Sequence, residues 1–187
     1  MATLAVGDKA PAFALKDQHG KVVRLSSLKG QRVVVYFYPK ADTPGCTQQS
    51  CSLQEALPEL KKLKATVVGI SPDPVDKQQK FAEKYGLKFA LLADTDHAVA
   101  DAWGVWGEKS LYGRKFMGIV RSAFVVDEKG KLAGVFYKVS PKDTVPNATK
   151  VLGPNAAPAA KPAKAAAKPA KKPAKAAKKP AKASARK

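Results

Sequence analysis

From Val33 onward the segment Gln31 to Tyr38 is apolar at every position: Val33-Val34-Val35-Tyr36-Phe37-Tyr38. A run without polar alternation suits a strand covered on both faces, which means a central strand with helices packed on either side of the sheet. Phe13 to Leu25 reads instead as a hairpin, with Asp17-Gln18-His19-Gly20 as its turn, because apolar residues flank a glycine-containing break. After Cys46, Leu53, Leu57, Leu60 and Leu63 recur at helical spacing, and Pro58 interrupts the stripe.

The same reading assigns a second buried strand to Thr66–Ser71, a helix to Val75–Tyr85, a strand to Phe89–Ala93 and a short helix to His97–Trp103. Strands alternating with helices imply parallel pairing through crossovers. Val120–Val126 and Leu132–Val139 flank Asp127-Glu128-Lys129-Gly130, a strong hairpin signal, and Thr144–Leu152 is expected to add a last helix. The predicted fold is α/β, a mixed sheet with flanking helices.

Composition divides the chain after Gly153. Residues 154–187 contain only Pro, Ala and Lys besides Asn155, Ser184 and Arg186, and they carry 11 of the 34 basic residues and none of the 15 acidic ones. The body therefore holds 23 basic against 15 acidic residues. Residues 1–153 are expected to form one domain and residues 154–187 a disordered tail, because Pro-Ala-Lys repeats bury too little apolar surface to offset chain entropy. A body of this size needs no disulfide staples. No apolar run reaches the roughly 18 residues of a membrane span, and the N-terminus lacks the basic-then-apolar pattern of a signal peptide. A cytoplasmic protein is expected.

Cys46 and Cys51 are the only cysteines. The first follows the central strand through Pro39-Lys40-Ala41-Asp42-Thr43-Pro44-Gly45. Thr43 before Pro44 reads as an N-cap with proline at the first helical position, so Cys46 falls in the first turn, where unpaired N–H groups and the helix dipole favour a negative sulfur. Gly45 removes bulk beside the thiol, and Pro39 is a rigid wall without a donor. An ordinary thiol is roughly 5–10% ionised near neutral pH, so full ionisation accelerates its chemistry only about tenfold to twentyfold. Any larger effect requires groups that align a peroxide and receive charge on the leaving oxygen. Thr43 offers a hydroxyl. Arg121, at the start of an apolar strand, is the best fixed cation, although Glu108 could pair with it at the surface.

Cys51 lies five residues beyond Cys46. On a regular helix that offset places the Cα atoms about 8.6 Å apart, beyond the ~7 Å limit for a disulfide, so bonding requires the first turns to unwind. The break at Pro58 would isolate a short segment that melts cheaply. A thioredoxin-type exchanger would carry Cys-x-x-Cys, which this spacing is not. His19 and His97 share no metal-ligand spacing, and Trp103 and Trp106 read as packing residues before substrate-lining ones.

Phe37 to Thr47 together with Cys51 closely resembles the bacterioferritin-comigratory-protein or PrxQ group of peroxiredoxins. The likeness continues through Gly104 to Ser110 and Gly118 to Arg121 and covers residues 4 to 152. Gln49 and Ser50 depart from it, at positions where Glu and Ala are common in the group. The resemblance implies a thioredoxin-like fold, with Cys46 as peroxidatic thiolate, Cys51 as resolving thiol, and Pro39, Thr43 and Arg121 completing the pocket. It also implies a Cys46–Cys51 disulfide recycled by thioredoxin, with hydrogen peroxide and organic hydroperoxides as substrates and no metal or organic cofactor. A monomer is expected.

The tail is similar in composition to the Lys/Ala/Pro-rich tails of linker histones and bacterial histone-like proteins. Its cations can neutralise phosphates, but without aromatics they cannot stack on bases, so any binding to nucleic acid would be non-specific and salt-dependent. A solvated extension with no partner is the plainer expectation for the tail. A second class of function stays open beside the peroxidase: a polyanion-binding protein, DNA included, with a redox-sensing body.

Overall fold

The computed structural model describes residues 3–111 and 114–153. The tail, for which disorder is expected, lies outside the described residues. The chain runs β1 (Ala14–Lys16), β2 (Val22–Arg24), β3 (Arg32–Phe37), α1 (Pro44–Glu55), α2 (Leu57–Lys62), β4 (Ala65–Ser71) and α3 (Val75–Tyr85). It continues through β5 (Ala90–Ala93), α4 (Ala98–Ala102), β6 (Trp106–Leu111), β7 (Arg114–Ile119), β8 (Ser122–Val126), β9 (Leu132–Phe136) and α5 (Thr144–Leu152). Seven strands form one sheet in the order β2-β1-β5-β4-β3-β8-β9, and β6 pairs with β7 apart from it. β3, β4 and β5 are parallel, whereas β8 joins β3 antiparallel, so the sheet is mixed as expected.

β3 owes its central place to apolar side chains on both of its faces. Val34, Tyr36 and Tyr38 enter a core with Leu53, Leu60, Phe81 and Leu152, beneath α1, α2, α3 and α5. Val33, Val35 and Phe37 enter a second core with Val99, Trp103, Ile119 and Phe124 on the opposite face. Trp103 is fully buried between Phe37 and Phe124, at ring distances of 5.6 and 4.9 Å, which makes it a packing residue.

The first hairpin forms where expected. Asp17 Oδ1 accepts the N–H groups of His19 and Lys21 and so organises the turn. α3 ends at Gly86, whose φ of +61° closes the helix in a conformation that glycine adopts without a Cβ penalty. Elsewhere the boundaries differ from expectation. The helical stretch after Cys46 divides at Ala56 into α1 and α2, and Pro58 sits in the first turn of α2, where no intrahelical N–H is needed. β8 starts at Ser122, leaving Arg121 in the connection between β7 and β8. The β6–β7 hairpin has no counterpart in the sequence reading, because Trp106-Gly-Glu-Lys-Ser-Leu carries no apolar alternation.

Candidate active site

The end of β3 and the start of α1 hold the thiol. Between them, the turn from Pro39 to Thr43 is pinned at two residues, Ala41 and Asp42. Ala41 N–H donates to Asp73 Oδ2 at 2.7 Å. The Asp42 carboxylate accepts Lys84 Nζ at 2.8 Å and the Tyr85 hydroxyl at 2.6 Å. Just before the turn, the Tyr38 hydroxyl donates to Gln78 Oε1. Asp42 adopts a φ of +58°, a left-handed turn residue that its contacts to α3 hold in place. The Lys84 ammonium, followed by the Tyr85 hydroxyl, keeps the Asp42 carboxyl below the usual carboxylate range.

Thr43 is the N-cap residue of α1 by backbone geometry, but its side chain does not cap the helix. The hydroxyl donates to Lys40 C=O at 3.0 Å, which leaves the oxygen lone pairs free to accept a hydrogen bond. The first intrahelical bond runs from Thr47 N–H to Thr43 C=O, so the amides of Gly45 and Cys46 precede the ladder and have no partner within the helix. Pro39 stands half-buried at the mouth of the turn.

Cys46 is fully buried, and Arg121 Nη2 lies 3.4 Å from its Sγ. The other end of the guanidinium is anchored: Nη1 donates to Gln49 Oε1 at 2.6 Å and to Gly45 C=O at 3.3 Å. Gln49, one helical turn after Cys46, is also fully buried and passes its amide to Thr144 Oγ1 at 2.8 Å. This tie joins α1, α5 and the Arg121 connection through one side chain. Sequence reasoning did not place Gln49 in the site, although its spacing of three from Cys46 puts it on the face of the thiol.

Gly45 serves a purpose in addition to the expected one. A Cβ there would meet Arg121 Nη2 at 3.2 Å, so the missing side chain makes room for the guanidinium, not only for a substrate. Glu108 is not available to Arg121, because it pairs with Lys115 at 3.1 Å. Lys109 is a second cation near the thiol, and it too went unread in the sequence. Its Nζ donates to Ile119 C=O at 2.9 Å, two residues before Arg121. Burial first, and the Arg121 charge second, hold its ammonium below the usual lysine range, while Cys46 pulls the other way.

Cys51 lies one and a half turns along α1, half-buried, and both thiols are free. Burial pushes the Cys51 thiol up, with the Glu55 carboxylate adding to the shift. Beside it, Ser50 and Tyr36 share a buried hydrogen bond of 2.8 Å between their hydroxyl oxygens. Burial keeps the Tyr36 phenol far above its ordinary range, so it stays neutral and serves only as a hydrogen-bonding group. The described residues contain no cluster of three or more His, Cys, Asp or Glu able to hold a metal ion.

A buried thiol under a fixed guanidinium, at a helix start with free amides, is a place to stabilise a thiolate and split a bond polarised toward the cation. The AhpC/TSA family pattern matches residues 6–135. The chain belongs to this family. Peroxiredoxin Bcp of Escherichia coli K12 is 52% identical over 136 residues, which cover 73% of this chain and 87% of that protein. The crystal structure of peroxidoxin BcpB from Mycobacterium tuberculosis superposes with a TM-score of 0.71 at 38% identity, covering 79% of this chain and 95% of the other. A bacterioferritin comigratory protein of Xanthomonas campestris, whose structures address alkyl peroxide reduction, gives a TM-score of 0.71 at 33% identity over 75% of this chain and 89% of its own. The peroxiredoxin is thus a thiol peroxidase of the Bcp/PrxQ group with the thioredoxin-like fold of its neighbours. Among its described residues, no helix is long and apolar enough to cross a membrane.

Proposed function

We propose that the peroxiredoxin reduces hydrogen peroxide and organic hydroperoxides with Cys46 as the attacking thiolate, and that Cys51 resolves the oxidised product. The observation that carries the reading is the Arg121 guanidinium 3.4 Å from Cys46 Sγ, fixed from behind by Gln49 and Gly45. The sulfur attacks the distal peroxide oxygen, the O–O bond breaks, and its electron pair leaves on the alkoxide or hydroxide oxygen, which takes up a proton. Arg121 and the amides of Gly45 and Cys46 stabilise the charge shared between sulfur and leaving oxygen. Thr43 accepts a hydrogen bond from the hydroperoxide, and Pro39 excludes water from one side.

The Cys46 sulfenic acid then condenses with the Cys51 thiolate, forming an intramolecular disulfide and releasing water once the departing hydroxide is protonated. α1 must unwind for this step, because about 8.6 Å of Cα separation exceeds the disulfide limit. The helix is arranged for it: α1 ends at Glu55, so only a short segment has to melt. Thioredoxin returns the disulfide to two thiols by exchange. We place the enzyme in the cytoplasm as a monomer.

Residues 154–187 supply 11 cations and no carboxylate, which supports non-specific retention on nucleic acid beside the peroxidase. One set of proteins tests both halves: wild type, Cys46→Ser and a chain ending at Gly153, assayed for thioredoxin-dependent peroxide consumption and for DNA retention against salt. Peroxidase activity is expected to vanish only in Cys46→Ser, and DNA retention only in the shortened chain. Full peroxidase activity in Cys46→Ser would sink the enzymatic assignment of the thiol. Mass spectrometry after one equivalent of peroxide is expected to show a Cys46–Cys51 linkage within one chain.

A further inference from the structure

We propose that the lysine-rimmed cavity beside the Pro39–Thr43 turn is the docking surface for the protein that reduces the oxidised enzyme, and that this partner presents carboxylates around its own reactive cysteine. The proposal rests on the reading above that a dithiol protein recycles the Cys46–Cys51 disulfide. The cavity measures about 400 Å³ and is lined by Lys40, Thr43, Asp73, Lys77, Lys80 and Lys84, among others. Lys77, Lys80 and Lys84 follow at spacings of three and four, so they form one stripe along α3, roughly 10 Å long. Lys40 faces them from the turn that leads into the thiol helix.

The two carboxylates at the cavity offset only part of this charge. Asp42 is occupied by Lys84 and Tyr85. Asp73 is buried, and its Oδ2 accepts from Ala41 N–H and the Ser71 hydroxyl. Lys40, Lys77 and Lys80 make no ion pair among the described residues. Three ammonium groups outside any ion pair therefore rim an opening whose wall includes Thr43, three residues before the peroxidatic sulfur.

Geometry favours a protein rim over a small anion. The cations sit on long exposed side chains spread along α3 and the facing turn, and among the described residues no buried side-chain donor lacking a partner lines the cavity. A partner resting there lies beside the start of α1, the helix that carries both cysteines, and so approaches the disulfide for exchange. In that exchange the partner thiolate bonds to one sulfur, the other leaves as a thiolate and is protonated, and the partner's second thiol releases the mixed disulfide. Charges on such a rim act on encounter and register, leaving the chemistry of the thiol untouched.

The test uses the full chain carrying Lys40→Glu, Lys77→Glu and Lys80→Glu together, with each half-reaction measured alone. Oxidation by hydrogen peroxide in a single turnover, and reduction of the oxidised protein by dithiothreitol, are expected to stay within about twofold of wild type. Reduction by thioredoxin is expected to slow by about tenfold or more at low salt and to lose most of its salt dependence. If thioredoxin reduces the variant as fast as wild type, the docking surface is refuted while the peroxidase reading stands. The surface is equally refuted if dithiothreitol reduction slows as much as thioredoxin reduction, since the change is then not one of docking. Wild type that dithiothreitol reduces and thioredoxin does not would overturn the reductant and the docking surface together.

Discussion

Arg121 reaches the thiol because Gln49 holds it there. Gln49 Oε1 takes the guanidinium at 2.6 Å, and its amide is in turn fixed by Thr144 at 2.8 Å, with Gln49 and Thr144 both fully buried. A carboxylate in that position would neutralise Arg121 and compete with the sulfur for it. The amide fixes the cation without cancelling its charge, so the field remains directed at Cys46.

Gln49→Ala should therefore affect stability and rate together. It takes one of two partners from the Thr144 hydroxyl, which keeps Ser140 C=O, and one from the half-buried guanidinium, a loss of about 1 kcal/mol or more. Peroxide oxidation of Cys46 is expected to slow by about tenfold, as the cation gains freedom to leave the sulfur. Urea denaturation and stopped-flow oxidation measure the two effects, and an unchanged oxidation rate would show that Arg121 needs no support from α1.

Gly45→Ala isolates the position of the cation from the polar network. The added methyl would come within 3.2 Å of Arg121 Nη2, and the guanidinium must move to admit it. Helix propensity favours alanine, so α1 should be no less stable. The expected outcome is a fold as stable as wild type with peroxide turnover reduced more than tenfold. If turnover is retained, the 3.4 Å approach of Arg121 to the sulfur is not needed for the reaction.

The thiol segment could be read from the sequence because its signals are local. The apolar run of β3, the Thr43-Pro44 helix start and the thiol in the first turn all lie within 16 residues of one another. What surrounds the thiol was not legible, since those contacts span long stretches of chain. Gln49 meets Arg121 across 72 residues and Thr144 across 95. Lys109 comes from a hairpin whose strands carry no alternating pattern, and its place near Arg121 depends on where β7 ends. Thr43 takes the N-cap position that the sequence predicts, but its side chain does not cap the helix, because the hydroxyl donates to Lys40 C=O.

Gly69 links the core to the same helix. It pairs with Tyr36 across β3 and β4, and a Cβ there would stand 2.7 Å from the Tyr36 ring and hydroxyl. Gly69→Ala must displace a fully buried ring and with it the hydrogen bond to Ser50 on α1. A cost of about 1–3 kcal/mol is expected from overpacking. Hydrogen exchange should also show faster opening of α1, because one of its two buried polar ties is lost. A destabilised protein with unchanged protection of α1 would mean that Tyr36 does not restrain the helix.

Lys109 should leave a mark on the alkaline side of the pH profile. Burial and the Arg121 charge hold its ammonium below the usual lysine range, so it loses its proton at lower pH than a free lysine. Below that point two cations stand near the sulfur, and above it only Arg121 remains. Peroxide oxidation is expected to decline as Lys109 deprotonates. Lys109→Met should begin severalfold slower and lack that decline, while Lys109→Arg should keep the rate and postpone the decline. Identical profiles in the wild type and the Met variant would confine Lys109 to anchoring β7.

The resolving step has the opposite pH dependence, and burial of Cys51, with Glu55 adding to it, sets its position. Burial and the Glu55 carboxylate raise the Cys51 thiol, so near neutral pH it is protonated and must ionise before it can attack the sulfenic sulfur. Each unit of pH below its midpoint costs about a factor of ten in thiolate. Disulfide formation, followed after a rapid peroxide pulse, is therefore expected to accelerate as pH rises from neutrality. Glu55→Gln removes a like charge one helical turn away and should move that profile toward lower pH, with oxidation of Cys46 unchanged. If instead disulfide formation is independent of pH in both proteins, unwinding of α1 sets the rate, and Glu55 acts only on a thiol that is already waiting.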